Sequence, residues 1–236
     1  MRSCCVRELG RIDYGVALTV QQELVARRKQ GAVRDHLLLL EHAHVITLGR
    51  NGHMENLLAS DEILDRAGIS FYPTDRGGDV TYHGPGQLVG YPILDLRDWK
   101  RDVGAYVRCI EQAIIDTLAE YGIEAGRIPK LTGVWVGDRK IAAIGVHISR
   151  WVTSHGFALN VTTDLNYFKY IVPCGLPKPV TSMEQLGVRA TLGEVSEKFA
   201  SHFASIFDFE LSAAGAPGCG SIPGFACQSA ESETRS

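Results

Sequence analysis

The chain has 236 residues, 45% of them hydrophobic, with 24 Lys and Arg against 27 Asp and Glu for a formal net charge of −3. That length fits one large domain able to bury about three quarters of its unfolded surface. The charge balance gives no electrostatic case for a nucleic-acid partner, and no apolar run of the ~18 residues needed to span a membrane is present.

The opening Met1-Arg-Ser-Cys-Cys-Val-Arg7 has no apolar core suited to a secretory signal, which points to a cytoplasmic protein. Globular patterning is expected from about Glu8. Val16 to Lys29 reads as a first helix. Asp35 to Glu41, with four consecutive leucines, and His44 to Gly49 read as strands. Ser60 to Ala67 reads as a helix with Ser60 as N-cap and Gly68 past its end, and Ile69 to Pro73 as a short strand. Val103 to Tyr121 is the longest helix, with Tyr106, Val107, Ile110, Ile114 and Leu118 on one face and Gly122 closing it. Strands follow at Gly133–Gly137, Lys140–Ile148 and His155–Val161, then a loop with one helical turn over Thr163–Val172. An amphipathic helix, Leu192 to Phe207, is introduced by Thr191. From Ser212 onward Ser, Gly, Ala and Pro dominate, so one domain is expected over residues 1–211 and a disordered tail over 212–236. Antiparallel strand runs with helices set apart argue for an α+β domain of mixed and antiparallel sheets rather than a doubly wound fold.

Six cysteines, Cys4, Cys5, Cys109, Cys174, Cys219 and Cys227, form no C-x-x-C pair and have no histidines at zinc spacing, so no metal site is expected. Their even count suits disulfides only in a small secreted scaffold, which this is not. Cys174 stands apart. It lies in Val172-Pro-Cys-Gly-Leu-Pro177, between two prolines that stiffen the loop and beside a glycine that admits close approach.

The segment Arg76-Gly-Gly-Asp-Val-Thr-Tyr-His-Gly-Pro-Gly-Gln-Leu-Val-Gly-Tyr91 carries five glycines among polar side chains. It lacks the Gly-Lys-Ser/Thr of a phosphate loop and the spacing of a dinucleotide fingerprint. Residues 80–83 alternate into a Gly84-Pro85-Gly86 turn and the apolar stretch 88–94 returns as another strand, which reads as a β-hairpin, either ligand-facing or purely structural.

This segment resembles the signature of the lipoyl(octanoyl) transferases. Two further blocks agree in order, Lys130-Leu-Thr-Gly-Val-Trp-Val-Gly-Asp-Arg-Lys-Ile-Ala-Ala-Ile-Gly-Val-His147 and Pro173-Cys-Gly-Leu176. The resemblance implies a biotin/lipoate protein ligase-like catalytic domain. It implies transfer of an octanoyl group from octanoyl-acyl carrier protein to a lysine of lipoyl domains, those of 2-oxoacid dehydrogenase complexes and of the glycine cleavage H protein, as the first step of endogenous protein lipoylation. It also implies an acyl-thioester on Cys174, with Lys140 lowering the thiol pKa and relaying a proton. Substrate contacts are implied at Arg76, Gly77, Gly78, Asp79, Val80, Thr81, Tyr82 and His83, at Ala143, Ile144 and Gly145, and at Gly156, Phe157 and Ala158.

The chemistry is coherent without a cofactor. A free thiol with pKa near ~8.5 is only about 3% thiolate at pH 7, so a cation must favour the charged form. Exchanging one thioester for another is nearly neutral, and amide formation drives the cycle without ATP. Because acyl carrier proteins are acidic, a basic rim is expected among Arg50, Arg76, Arg139, Arg150 and Lys178. His83 is a rival partner for Cys174. Competing readings are an ATP-dependent lipoate or biotin ligase of the same fold, a cysteine thioesterase, and a non-catalytic acyl-binding module.

Overall fold

Strand β1 (Arg2–Ile12) starts at the second residue, ahead of the first expected element, and runs into helix α1 (Tyr14–Lys29) and then β2 (Asp35–His42). A computed structural model describes residues 2–173 and 178–221. β1 and β2 are parallel neighbours joined by α1, one crossover unit at the margin of an otherwise largely antiparallel sheet. The remaining strands of that sheet are β6 (Gln87–Ile93), β7 (Gly126–Ile128), β8 (Leu131–Val136), β9 (Arg139–Ser149), β10 (Val152–Asn160) and β11 (Phe209–Ser212), in the order β11-β1-β2-β6-β10-β9-β8-β7.

The leucine run of β2 has a simple explanation. Leu37 and Leu39 point to one face and Leu38 and Leu40 to the other, and both faces are covered. On the first face lie α3 (Val103–Ala119) and α4 (Leu192–Phe207), which bury Tyr106, Ile110, Ile114 and Leu118 with Val195, Phe199, Phe203 and Phe207. Each such fully buried side chain contributes about 1.5–3 kcal/mol. The helices start where the sequence marks them: Asp102 accepts from the Ala105 N–H, and Thr191 with Glu194 forms a reciprocal capping box. Helix α1 covers the opposite face with Ala17, Val20 and Leu24. Both layers are consistent with the expected α+β class.

A second sheet has the order β4-β3-β5, from β3 (Val45–Leu48), β4 (Ser70–Pro73) and β5 (Val80–His83). Its cluster of Ile46, Val80, Tyr82 and Ile171 also receives Leu64 of α2 (Asp61–Arg66) and the 3-10 turn Leu165–Tyr170.

Two expectations need correction. The glycine segment is not a hairpin: β5 pairs with β3, whereas β6 pairs with β2 and β10. Its turn therefore passes the chain from the small sheet to the large one. Gly86 (φ 79°) permits that path, since a Cβ there would come within 2.5 Å of Thr162 Oγ1. The chain also does not lose order at Ser212. β11 pairs in parallel with β1, and residues 213–221 return across β1 and β2, where Cys219 forms a disulfide with Cys5. The Cys219 carbonyl lies 2.9 Å from both Arg7 Nη2 and His36 Nε2. Composition hid this segment because its attachment uses backbone carbonyls rather than apolar side chains. Residues 222–236 lie outside the described part.

Candidate functional site

The faces of β9 and β10 turned toward α1 and the small sheet carry the small residues Ala143, Gly145, Gly156 and Ala158, paired in register as Ala143–Ala158 and Gly145–Gly156. Over them lies a cavity, partly open to solvent, lined by Tyr14, Arg76, Gly77, Gly78, Asp79, Thr81, His83, Tyr91, Ala143, Ile144, Gly145, His155, Gly156, Phe157 and Ala158. Twelve of the fourteen expected substrate contacts are in this wall. The exceptions are Val80 and Tyr82, whose side chains alternate away into the core of the small sheet, where the Tyr82 hydroxyl lies 2.7 Å from His44 Nδ1.

The loop from Thr74 to Asp79 forms the roof. Arg76 lines the cavity and ties its guanidinium to the small sheet: Nη2 donates to the Thr47 carbonyl (2.7 Å) and Nε and Nη2 to Thr47 Oγ1 (3.1 and 2.8 Å). Asp79 accepts from the N–H groups of His53 and Val80 and from the Asn56 amide. The Gly77 N–H reaches the Val146 carbonyl at 2.9 Å, docking the roof on β9. Glycine at 145 is needed for this approach, since a Cβ there would lie 2.7 Å from the Gly77 carbonyl. At Gly156 a Cβ would run into the Gly90 carbonyl. These two glycines thus serve close backbone packing as well as the cavity.

A smaller recess shares Thr81, Ala143 and Ala158 with this cavity and adds Gln87, Lys140, Asn160, Phe168, Pro173 and Val180. Lys140 faces it because of a bulge. Val134 pairs with Ala142 but Trp135 pairs with Lys140, so β9 carries one extra residue there. Ile141 and Ala142 consequently both enter the α3/α4 core, and Lys140 and Ala143 share the other face. In a regular strand, residues three apart would point oppositely. Lys140 Nζ lies 4.8 Å above the Trp135 ring, with Lys178 Nζ 5.8 Å from the same ring.

Cys174 lies outside the described residues, which resume at Lys178, but the chain on both sides of it is placed at Lys140. Pro173 lines the recess beside Lys140. On the other side, the Lys140 N–H donates to the Pro179 carbonyl and the Thr181 N–H to the Lys140 carbonyl, each at 2.9 Å.

A buried polar chain links the cavity to this place. His83 Nδ1 lies 2.8 Å from Gln87 Oε1, Gln87 Nε2 donates to Asn160 Oδ1 at 2.9 Å, and Asn160 Nδ2 donates to the Thr181 carbonyl at 2.9 Å. The network makes Gln87 Oε1 an acceptor, which assigns the His83 proton to Nδ1. Burial, with His42 nearby, pushes the His83 pKa down to about 3, so the ring is neutral at pH 7 and offers no positive charge to a thiolate.

The far end is aromatic and polar. His155 has a left-handed backbone (φ 56°), its N–H accepted by Gln21 and its Nε2 donating to Asp75 at 2.7 Å. Burial opposes ionisation of Asp75, but the hydrogen bond from His155 and the proximity of His147 outweigh it and hold the carboxyl below its usual range. Tyr14 escapes a reading based on local motifs, because it comes from α1 and meets Tyr91 of β6 and His155 of β10 only in the folded sheet.

Of the expected basic rim, Arg139 and Lys178 flank Lys140 in sequence or space, and Arg50 adjoins the roof through its N–H to the Arg76 carbonyl. Arg76 is committed to Thr47. Arg150 occupies the β9–β10 turn, about 30 Å from Lys140 at the usual rise per strand residue. Among the described residues no group of three or more His, Cys, Asp or Glu could hold a metal ion, and no helix is long and apolar enough to cross a membrane.

Comparison with known proteins gives a consistent result. The family model described as the lipoyl protein ligase A/B catalytic domain matches residues 13–204. An octanoyltransferase of Solibacter usitatus (strain Ellin6076) is 80% identical over 211 residues, covering 89% of this chain and 96% of that protein. One from Clostridium kluyveri is 46% identical over 213 residues, 89% of this chain and 91% of the relative. In fold, the chain is similar to ATP-bound lipoate-protein ligase A (TM-score 0.75, 19% identity, 90% of this chain and 88% of that one). It is similarly close to the bi-partite lipoate protein ligase of Thermoplasma acidophilum (TM-score 0.74, 18% identity, 90% and 86%).

Proposed function

Because the chain belongs to the lipoyl protein ligase A/B catalytic-domain family and is an acyltransferase of its octanoyltransferase group, we propose that it moves an octanoyl group from octanoyl-acyl carrier protein to a lipoyl-domain lysine through a thioester on Cys174. The observation that carries this reading is the position of Lys140, bordered by the chain on both sides of Cys174 and opening toward the cavity beneath the glycine loop.

In the first step the Cys174 thiolate attacks the donor thioester carbon. A new S–C bond forms, the carrier's thiolate leaves, and it takes up a proton. In the second step the neutral acceptor amine attacks, the Sγ–C bond breaks, and the amine proton passes by way of Lys140 to the departing Sγ. Lys140 stabilises the thiolate at both ends of the cycle, a role that neutral His83 does not fill. A depression of the thiol pKa by two units would raise the thiolate fraction from about 3% to roughly 75% at pH 7. The octanoyl tail would lie over Ala143 and Gly145. ATP has no step to perform, since the energy of the donor thioester is retained until the amide forms. The acceptors are lipoyl domains of 2-oxoacid dehydrogenase complexes and the glycine cleavage H protein. With soluble donor and acceptor we place the enzyme in the cytoplasm; the Cys5–Cys219 bridge runs against a reducing compartment.

Intact mass spectrometry after mixing with octanoyl-acyl carrier protein, without ATP, tests the reading. One octanoyl adduct is expected, absent from Cys174→Ala and slow to form in Lys140→Ala, with its rate recovering toward pH 8.5 and above. Transfer of free lipoate by Cys174→Ala that requires ATP would indicate a ligase instead. Loss of the adduct to water at the same rate with and without a lipoyl domain would indicate a thioesterase.

A further inference from the structure

Resting on the octanoyl-transfer reading, we propose that Tyr14 is the end-stop of the acyl chamber and sets the longest chain the enzyme accepts. The chamber has a defined direction. Thr81, Ala143 and Ala158 border both the chamber and the recess of Lys140, whereas Tyr14, Tyr91 and His155 line the chamber alone. From Ala158 to His155 is three residues of β10, about 10 Å. An extended octanoyl tail, with its seven C–C bonds, is about 9 Å long. A chain rooted beside Lys140 therefore meets the aromatic end with little length to spare.

Tyr14 differs from its two neighbours in how it is held. The Tyr91 hydroxyl is fixed 2.8 Å from His42 Nε2, and His155 is fixed by Asp75 and by Gln21. Tyr14 is 3% exposed, yet its hydroxyl comes only to 3.4 Å from Thr74 Oγ1. Ring packing holds it instead: against His42 at 5.2 Å, Tyr72 at 5.3 Å and, stacked, His83 at 6.2 Å. It is a wall by shape. Its backbone is secured independently, because Asp13 Oδ1 caps the first turn of α1 through the N–H groups of Gly15 and Val16. A shorter side chain would open the end of the chamber while the helix start persists.

The chain-length dependence of transfer follows. Each buried methylene favours binding about fourfold, so an open-ended slot would prefer decanoyl over octanoyl by about fifteenfold. A closed one reverses that order.

The test measures kcat/KM of the full chain with hexanoyl-, octanoyl- and decanoyl-acyl carrier protein and a lipoyl-domain acceptor. In the wild type, decanoyl is expected to fall below octanoyl. Tyr14→Ala and Tyr14→Leu should raise the decanoyl/octanoyl ratio by about tenfold or more, Tyr14→Trp should move the preference to hexanoyl, and Tyr14→Phe should keep the wild-type ratio. Circular dichroism identifies a variant that does not fold; Tyr14→Leu, which keeps an apolar side chain in the packing, then decides. Octanoyl transfer by Tyr14→Leu with an unchanged ratio overturns the proposal, as does a wild type that prefers decanoyl. A wild type inactive with every donor overturns the functional reading itself, and the end-stop with it.

Discussion

The guanidinium of Arg76 is bound to Thr47 through both the carbonyl and the hydroxyl, at 2.7–3.1 Å, so the most polar residue of the glycine loop ties the roof to the small sheet while it lines the cavity. Both residues are buried. The charge is thus used to hold a loop of small residues that has little apolar surface of its own to anchor it.

Arg76→Gln should cost about 2–4 kcal/mol, since hydrogen bonds to a charged group are lost, and Thr47→Val about 1–2 kcal/mol. Urea denaturation checks the stabilities. Transfer kinetics should show KM for the octanoyl donor raised in both variants, because the roof no longer closes on the acyl chain. Unchanged stability in Arg76→Gln would mean that these bonds hold nothing in place.

Gly145→Ala places a methyl group 2.7 Å from the Gly77 carbonyl and 3.2 Å from Arg76 Cδ. The roof must retreat, at a cost of about 1–3 kcal/mol. The expected result is a folded enzyme with weaker donor binding, measured as a higher KM with a smaller change in kcat.

Acid should destabilise the fold well above the usual carboxylate range. His83 and His42, their rings 5.9 Å apart, have pKa values lowered to about 3 and about 4, mainly by burial. The unfolded chain therefore binds protons below pH 6.5 that the native state refuses. The stabilising contribution is complete above 6.5 and is lost as pH falls toward 4, by up to about 1.4 kcal/mol per pH unit for each proton. Urea midpoints between pH 7.5 and 4.5 should fall steadily, and the double variant His42→Gln/His83→Gln should flatten the profile.

The Cys5–Cys219 bridge joins positions 214 residues apart. In the chain-entropy model a loop of that length contributes up to about 5 kcal/mol, and the β1–β11 pairing already supplies part of the closure. Reduction, or Cys219→Ser, should lower stability by about 2–4 kcal/mol without abolishing transfer, as read by denaturation with and without dithiothreitol.

Much of the fold was legible where local chemistry decides it. The faces of α3 and α4 follow from helical periodicity, and the start of α4 from Thr191. The glycine loop and the two small-residue pairs were legible as a pattern, and the cavity gathers twelve of those positions. Pairing partners were not: alternation over Val80–His83 and the apolar stretch Leu88–Leu94 show two strands but not that they belong to different sheets. Strand β1 was hidden because it mixes Cys4 and Cys5 with Arg7, Glu8 and Arg11, a pattern that makes sense only once β2 and β11 cover both edges. Tyr14 lies ahead of the helix expected from Val16, and its place becomes evident only when His83 and Tyr72 are brought to it. Cys174 itself falls outside the described residues, although both flanks of its loop are fixed beside Lys140.

The extra residue in β9 makes this stretch tolerant of a shortening that would ruin an ordinary strand. Deleting one codon at Ile141 or Ala142 would leave Lys140 and Ala143 two apart in a regular strand, hence still on one side, and the loss would fall on the greasy interior, poorer by one apolar side chain. Ironing out the swelling at full length would instead swivel the lysine inward, so among descendants of this gene a single-residue gap here should be borne more readily than a change that straightens the strand.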